Sequence, residues 1–558
     1  MSDGGIYRVI NRPNFAHWRG DIRGGLQAAA VAVPMGLAFG VVSGFGPVAG
    51  LYSAAITGLF AAIFGGTATQ ISGPTGPIAI ITASIAASMV DQPAAIAGVF
   101  ILAGILQVVY GAFRFGRYIS LLPYPVTSGF ATAVGWIIIV MQLNAVIGFP
   151  PADSTLDTVE SVISNISSAN PVTIAVALLS LAACHFMPLN LRRVIPVHLS
   201  VLITGTALVV VLGLDIPTLT TPQTLLPEFQ FPPIGDLPWR NIWLSAIVLS
   251  LIGALDSLLT SIAADNATNS FHDSDRELLG QGLGNVVAGM LGILPGAGST
   301  FRTMANIRGG GKTPLSATFH SIVVLALILS MGRLIGYIPS SVLAGILIYI
   351  GLGIVDWRYI RRFMLMPKTG VVIMITTWLV ALFVNVVTGA ALGIFMASLA
   401  FVKRMADVQL DALDFDDKDM PGSGLSELER VALSDSGGRT MLIRFAGPLA
   451  FGAANGLAKR LANLSDYRAL VLDFTRVPDI DESGVIAFDN VAKTAQTNGQ
   501  SVLIAGLQRP VARPIIRFGF ADRLRACQRY RTRIDALRAA ARIISREETA
   551  SEEEENQP

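Results

Sequence analysis

The sequence predicts a polytopic α-helical membrane protein with fourteen spans in two sets of seven, half-helices at spans 3 and 10, and a C-terminal cytosolic α/β domain. Three observations predict it. Residues 20–404 are mostly apolar runs of 15–25 residues, the length of helix that crosses a bilayer. The basic residues between those runs fall strongly on one side. From about residue 440 the apolar period changes to short strands alternating with amphipathic helices.

Composition agrees. Of 558 residues, 52% are hydrophobic and 14% charged, against about 25% charged in soluble domains; mean hydropathy is +0.59. A net charge of +2 offers no surface for nucleic acid. Cys184 and Cys527 lie in different halves, which excludes a disulfide framework or a zinc site. No ordered nucleophile–base pair or metal cluster suggests an enzyme. Residues 1–20 are polar and basic, lack a cleavage pattern, and read as a cytosolic segment.

Within 21–404 the expected spans are 22–44, 48–65, 75–90, 94–113, 121–147, 171–187, 195–213, 241–264, 279–294, 299–308, 316–335, 338–354, 370–386 and 387–403. With the N-terminus inside, the cytosolic loops hold Arg114, Arg117, Arg192, Arg193, Arg276, Arg308, Lys312, Arg358, Arg361, Arg362 and Lys368. The opposite loops hold only Arg240 and Arg333. Both termini are therefore expected in the cytosol of a cell bounded by this membrane, an inner or plasma membrane.

Two spans are broken. The third opens "ISGPTGPIAIITAS" and the tenth "LPGAGSTFRTMANI", with Gly and Pro where a continuous helix would not hold them. Each is third in its set of seven, a pattern that points to a binding site between inverted repeats. A half-helix starting at mid-membrane aims unpaired N–H groups and a positive dipole end into a cavity. Two such ends make an anion site, with Thr75, Gly76, Ser299 and Thr300 placed at them. Two ordinary kinked helices are the plainer reading.

Asp256 is the one charge in the run 241–264. A carboxylate near mid-membrane costs about 2.5–3.5 kcal/mol on insertion scales. Beside two positive helix ends it can hold a cation next to an anion. Thr260 lies one turn on, and with Thr300 and carbonyls of the unwound stretch would supply hard oxygen ligands. The alternative is a plain ion pair with Arg302. His185, His198 and His320 lie near apolar runs at spacings that suggest packing. Pro34 is expected to kink the first span. "HDSDRELLGQGLGN", residues 272–285, reads as a polar loop leading into the ninth span, and its Gly-x-Gly is too weak to mean nucleotide binding.

Residues 405–435 read as an acidic linker, 436–546 as the α/β domain, and 547–558 as a disordered acidic tail. In the domain, "TMLIRF", "RALVLDF" and "QSVLIAG" read as strands, and "GAANGLAKRLANL" and "RTRIDALRAAARII" as helices. In "PDIDESGVIAFDNV", Asp481 and Ser483 both suit a helix N-cap, and Ser483 is alternatively a phosphorylation site.

These residues together resemble the SulP/solute carrier family 26 anion transporters over almost the full length. The resemblance rests on "RGDIRGGLQAAAVAVPMGLAFGVVSGFGPVAGLY", "SGPTGP", "ELLGQGLGN" and a tail with "DESGV" that is similar to a STAS domain. It implies seven-plus-seven inverted repeats, a core and gate arrangement, a cytosolic STAS domain and a homodimer. Within the family, "GALDSLLTSIAADN" and "GAGST" look most like BicA-type sodium-dependent bicarbonate transporters. That branch implies Na⁺ as coupling ion, with ligands at Asp256, Thr260, Gly298, Ser299 and Thr300, and a bicarbonate contact at Thr75. Arg302 departs from that branch and is similar to sulfate, chloride and dicarboxylate members.

The expected function is secondary active transport of a small inorganic anion, Na⁺-coupled bicarbonate symport first. A proton-coupled or exchanging sulfate or dicarboxylate transporter is the alternative, then an anion channel, then a sensor signalling through the tail. No cofactor is expected; the partners are the anion, membrane lipid and a second copy of the chain.

Overall fold

The computed structural model describes residues 10–11, 14–89, 92–116, 123–152, 154–188, 196–220, 226–227, 229, 238–411, 414–416, 424–447, 449, 467–520, 522 and 527–555. The chain forms two compact units, Met1–Ala397 and Ser398–Pro558.

The first unit is helical. Its main elements are α1 (Trp18–Val42), α2 (Pro47–Phe64), the short strand β1 (Ser72–Gly73), α3 (Gly76–Ser88), α4 (Pro93–Ala112), α5 (Tyr124–Met141), α6 (Pro171–Phe186) and α7 (Val197–Leu212). Then come α8 (Trp239–Thr268), α9 (Ser274–Met290), the short strand β2 (Ala297–Gly298), α10 (Thr300–Gly309), α11 (Pro314–Met331), α12 (Ser340–Ile354), α13 (Lys368–Phe383) and α14 (Val386–Asp411), whose residues from Ser398 on belong to the second unit. Shorter helices, Leu143–Ile147, Thr155–Asn165 and Trp357–Ile360, lie between them. Among the described residues, six segments are long and apolar enough to cross a membrane unaided: Phe15–Val42, Pro47–Phe64, Pro93–Ala112, Tyr124–Ile147, Trp239–Thr268 and Val386–Met405. Helices α3, α6, α7, α12 and α13 are apolar but shorter, and α10 and α11 meet at a bend of 111°.

Packing sorts the helices into two sets. α9 lies against α4 and α2, α1 against α2, α10 and α11, and α8 against α4, α10 and α3. Separately, α5 packs on α13 and α12, and α12 on α6 and α7. The first set is held at very short range by glycine. A Cβ on Gly50 would fall 2.0 Å from the Gly36 carbonyl, so α1 and α2 meet backbone to backbone. The glycines of "GQGLG" do the same for α9. A Cβ on Gly282 would sit 2.6 Å from the Gly104 carbonyl of α4, and one on Gly280 2.5 Å from the Gly65 nitrogen. Their spacing is a packing face.

One expectation is corrected here. The stretch 272–285 is not a loop down to 279: α9 begins at Ser274, where the Asp273 carboxylate accepts the Arg276 N–H at 3.1 Å and caps the helix. Pro34 sits inside α1, which runs unbroken from Trp18 to Val42.

The second unit carries a five-stranded sheet of order β3-β4-β5-β6-β7: Asp414–Asp416, Thr440–Ala446, Ala469–Arg476, Ser501–Ala505 and Gln528–Tyr530. β3 is antiparallel to β4 and the other pairs are parallel. Helices α15 (Glu427–Ser434), α16 (Glu482–Thr497), α17 (Arg509–Arg517) and α18 (Arg533–Glu555) accompany it. One apolar cluster joins the sheet to α16 and α17 through Phe474, Phe488 and Ile515. Another joins it to α15 and α18 through Leu433, Leu442, Val471 and Leu537.

The expected linker 405–435 is therefore partly structure. β3 extends the sheet and α15 is fixed by a capping box between Ser426 and Glu429. The acidic stretch from 547 continues α18 to Glu555, because Ala and Glu are good helix formers. Asp481 is the N-cap of α16, accepting the Gly484 N–H at 2.7 Å, so Ser483 lies inside the first turn and does not cap. The expected helix "GAANGLAKRLANL" lies outside the described residues.

Candidate functional site

The two broken spans meet. β1 and β2 pair antiparallel, Ser72 opposite Gly298 and Gly73 opposite Ala297. The Ser299 N–H extends the pairing to the Ile71 carbonyl at 2.9 Å. α3 starts at Gly76 with Thr75 as its N-cap residue, and α10 at Thr300 with Ser299 as its N-cap residue. Neither cap side chain bonds a first-turn N–H. Pro77 in the first turn of α3 has no N–H to leave unpaired, and it presets the helical φ. Thus two helix starts, with their partial positive charge, open beside the same two-stranded crossing.

Their surroundings are polar and enclosed. Thr75 and Ser299 are buried, and Thr300 is exposed. The Thr260 hydroxyl, on α8, lies 3.0 Å from the Gly298 carbonyl and 2.9 Å from the Thr300 hydroxyl. The Gly298 N–H donates to the Ser257 hydroxyl at 3.0 Å, so α8 also fixes the strand. Asp256 stands one turn earlier on α8; its Oδ2 is buried with no hydrogen-bond partner among the described residues. The Thr75 hydroxyl is close to Asp256 but outside hydrogen-bonding geometry, and it too is buried without a partner. An orphaned carboxylate oxygen, a carbonyl and two hydroxyls form a donor set of hard oxygens, which suits an alkali cation.

Arg302 is placed differently from the ion-pair alternative. Its side chain is fully buried in the first turn of α10, and Nη2 donates to the Pro74 carbonyl at 2.7 Å. Nε and Nη1 have no hydrogen-bond partner among the described residues. Arg302 and Asp256 feel each other's charge, yet among the described residues they form no ion pair. The guanidinium therefore bridges the tenth span to the unwound part of the third. It fits there because position 73 is glycine: φ is +147°, and a Cβ would come 2.4 Å from Nη1.

Of the residues singled out in the sequence, Thr75, Gly76, Gly298, Ser299, Thr300 and Arg302 gather around the β1–β2 crossing, with Asp256 and Thr260 on the helix packed beside it. His185 and His198 instead make ring contacts with Phe186 and Tyr349. A set of polar side chains behind the crossing went unread: Gln70, Ser261, Glu277, Gln281, Asn285 and Asn306, all buried. Asn285 holds both the N–H and the carbonyl of Gly296, at 2.7 and 3.0 Å, and Asn306 donates to the Thr69 carbonyl at 2.8 Å. Their only sequence signal was polarity in otherwise apolar spans.

The Sulfate permease family model matches residues 18–377 and the STAS domain model residues 434–535. A bicarbonate transporter BicA of Picosynechococcus sp. is 35% identical over 511 residues, covering 89% of this chain and 90% of that protein. The putative sulfate transporter YvdB of Bacillus subtilis is 26% identical over 506 residues, covering 89% and 92%. The solved transmembrane domain of a cyanobacterium bicarbonate transporter BicA superposes with a TM-score of 0.64 at 36% identity, covering 69% of this chain and all of that one. The overall structure of SLC26A9 superposes with a TM-score of 0.81 at 19% identity over 96% and 92%, a likeness of fold. The chain belongs to the sulfate permease family, the SulP/SLC26 anion transporters, and ends in a STAS domain.

Proposed function

We propose that this anion transporter is a Na⁺-coupled bicarbonate symporter. The observation that carries the reading is the joining of Thr260 to Gly298 and Thr300, beside an unpartnered Asp256 oxygen and two uncapped helix starts. Na⁺ is held by Asp256, Thr260, Thr300 and the carbonyls of the unwound stretch at Gly298 and Ser299. The anion docks on the first turns of α3 and α10, with Thr75 and Gly76 on one side and Ser299 and Thr300 on the other. Charge supports a monovalent anion. Asp256 and Arg302 offset each other, so Na⁺ plus bicarbonate leaves the site near neutral, while Na⁺ plus a doubly charged anion leaves one uncompensated charge in a region of low dielectric. The 35% identity to a bicarbonate transporter, against 26% to a sulfate transporter, supports the same choice.

The wider organisation is proposed with it: fourteen spans in two inverted repeats, termini in the cytosol and a homodimer. The two helix sets and the antiparallel meeting of the broken spans support the repeat and a core moving against a gate. Arg302 favours a second reading, a sulfate or dicarboxylate carrier, because a buried guanidinium near the helix starts adds a full positive charge. Uptake of labelled bicarbonate and sulfate into proteoliposomes, with and without Na⁺, tests both. Accumulation of bicarbonate that requires Na⁺ is expected; Na⁺-indifferent sulfate uptake supports the second reading, and flux that neither saturates nor accumulates supports a channel.

A further inference from the structure

Glu277, on α9, is buried and is not among the residues proposed above to hold the cation or the anion. Its carboxylate takes four N–H donors. Oε2 accepts from the backbone of Gly66 at 3.0 Å and of Thr67 at 2.9 Å; Oε1 accepts from Gln70 at 2.7 Å and from Gln281 at 2.9 Å. All four partners donate as oriented here, and the two backbone N–H groups on Oε2 can do nothing else, which suits a carboxylate that accepts on both oxygens.

The partners lead in two directions. Gln281 also donates to the Ser72 hydroxyl, on β1, two residues before the Pro74 carbonyl that Arg302 holds. Gln70 accepts from the Ser261 hydroxyl at 2.9 Å, and Ser261 also lies 2.8 Å from the Thr67 hydroxyl. Ser261 follows Thr260 on α8. The Gln70 amide also fills the space over Gly298, where a Cβ would come 2.5 Å from Nε2. One carboxylate thus ties together the chain that leads into α3, the strand β2, and the helix that carries Asp256 and Thr260.

We propose that Glu277 is a positioning residue for ion coupling. It fixes segment 66–72 against α8, so that the oxygens of Thr260 and Gly298 hold one register. The inference rests on the Na⁺-coupled reading above. Partners that orient ligands from behind commonly matter 10–100-fold to ion affinity. Removing this anchor should therefore loosen the cation site before it affects the anion site, which is built from helix ends that persist without it.

The test is Na⁺-dependent anion uptake by the full-length protein carrying Glu277→Gln or Ser261→Ala. Glu277→Gln is accommodated if the amides of Gln70 and Gln281 turn over, which leaves a bonded but neutral hub. Ser261→Ala removes the α8 hydroxyl that meets Gln70 and Thr67, together with its bond to the Ser257 carbonyl, and leaves the Glu277 carboxylate in place. The expected result is an increase of about tenfold in the Na⁺ concentration for half-maximal uptake, with the anion half-saturation at high Na⁺ close to wild type. A purely structural role lowers the amount of folded protein and leaves both constants as they were; that result in both variants overturns the proposal. If Glu277→Gln does not fold, Ser261→Ala decides alone. Wild-type uptake that ignores Na⁺ is a separate result: it overturns the coupled reading, and this inference with it.

Discussion

The Thr260 hydroxyl on α8 lies 2.9 Å from the Thr300 hydroxyl at the first residue of α10. The helix bearing the lone mid-run carboxylate is thus bonded directly to one of the two helix starts. Thr260→Val keeps the shape and deletes the hydroxyl. It should raise the Na⁺ concentration for half-maximal uptake at least about tenfold, and Thr260→Ser should restore it. Titrating uptake against Na⁺ for both variants checks this.

Gly73 and Arg302 are mutually dependent. Gly73→Ala forces a Cβ to 2.4 Å from Arg302 Nη1 and 2.7 Å from the Ala54 Cα, on a backbone at φ +147°. A cost of about 1–3 kcal/mol from the backbone alone is expected. Adding Arg302→Met should recover only part of the stability, because the Ala54 clash is with main chain. Thermal unfolding of the detergent-solubilised proteins reads both effects.

Arg302→Gly separates the two substrates. It removes the charge and the bridge to Pro74, and leaves Asp256 and the helix starts. Na⁺-dependent bicarbonate uptake should persist at a reduced rate. Complete loss in a well-expressed variant would move the assignment to a sulfate-type carrier.

In the STAS domain, Arg533 holds Glu429 through two bonds, 2.7 and 2.8 Å, and reaches Asp473 at 3.3 Å. The Arg533 hydrogen bonds hold the Glu429 carboxyl down at about 2, from an ordinary 4.5. A depressed acid contributes stability above its unfolded value, so this contribution is complete above about 4.5 and is lost as pH falls toward 2. Arg533→Ala should cost about 1–3 kcal/mol at neutral pH. It should also flatten the acid limb of the domain's stability, measured by denaturant unfolding across pH.

How far the sequence led can be traced residue by residue. Within 21–404 each expected apolar stretch contains a helix, because length and composition are local signals. Gly and Pro at 73–77 and 295–298 marked the helix starts to within a residue, since a broken helix requires them. What stayed hidden is long-range. β1 and β2 have two residues each and no period to read, so their pairing across more than two hundred residues left no local trace. Arg302 looked like a partner for Asp256, and the Pro74 carbonyl that holds it is visible only once the two spans cross. Glu277 sat in a stretch polar enough to pass for a loop, although Asp273 caps a helix there. β3 and β7 were missed because each is three residues at a sheet edge.

The central claim is that Asp256 holds the coupling cation, and Asp256→Asn tests it most directly. The amide keeps the size of the side chain and removes the charge beside Thr260. Bicarbonate uptake into proteoliposomes should lose its response to an inward Na⁺ gradient while the variant remains folded and inserted. Na⁺ stimulation equal to that of the wild type in Asp256→Asn would contradict the account.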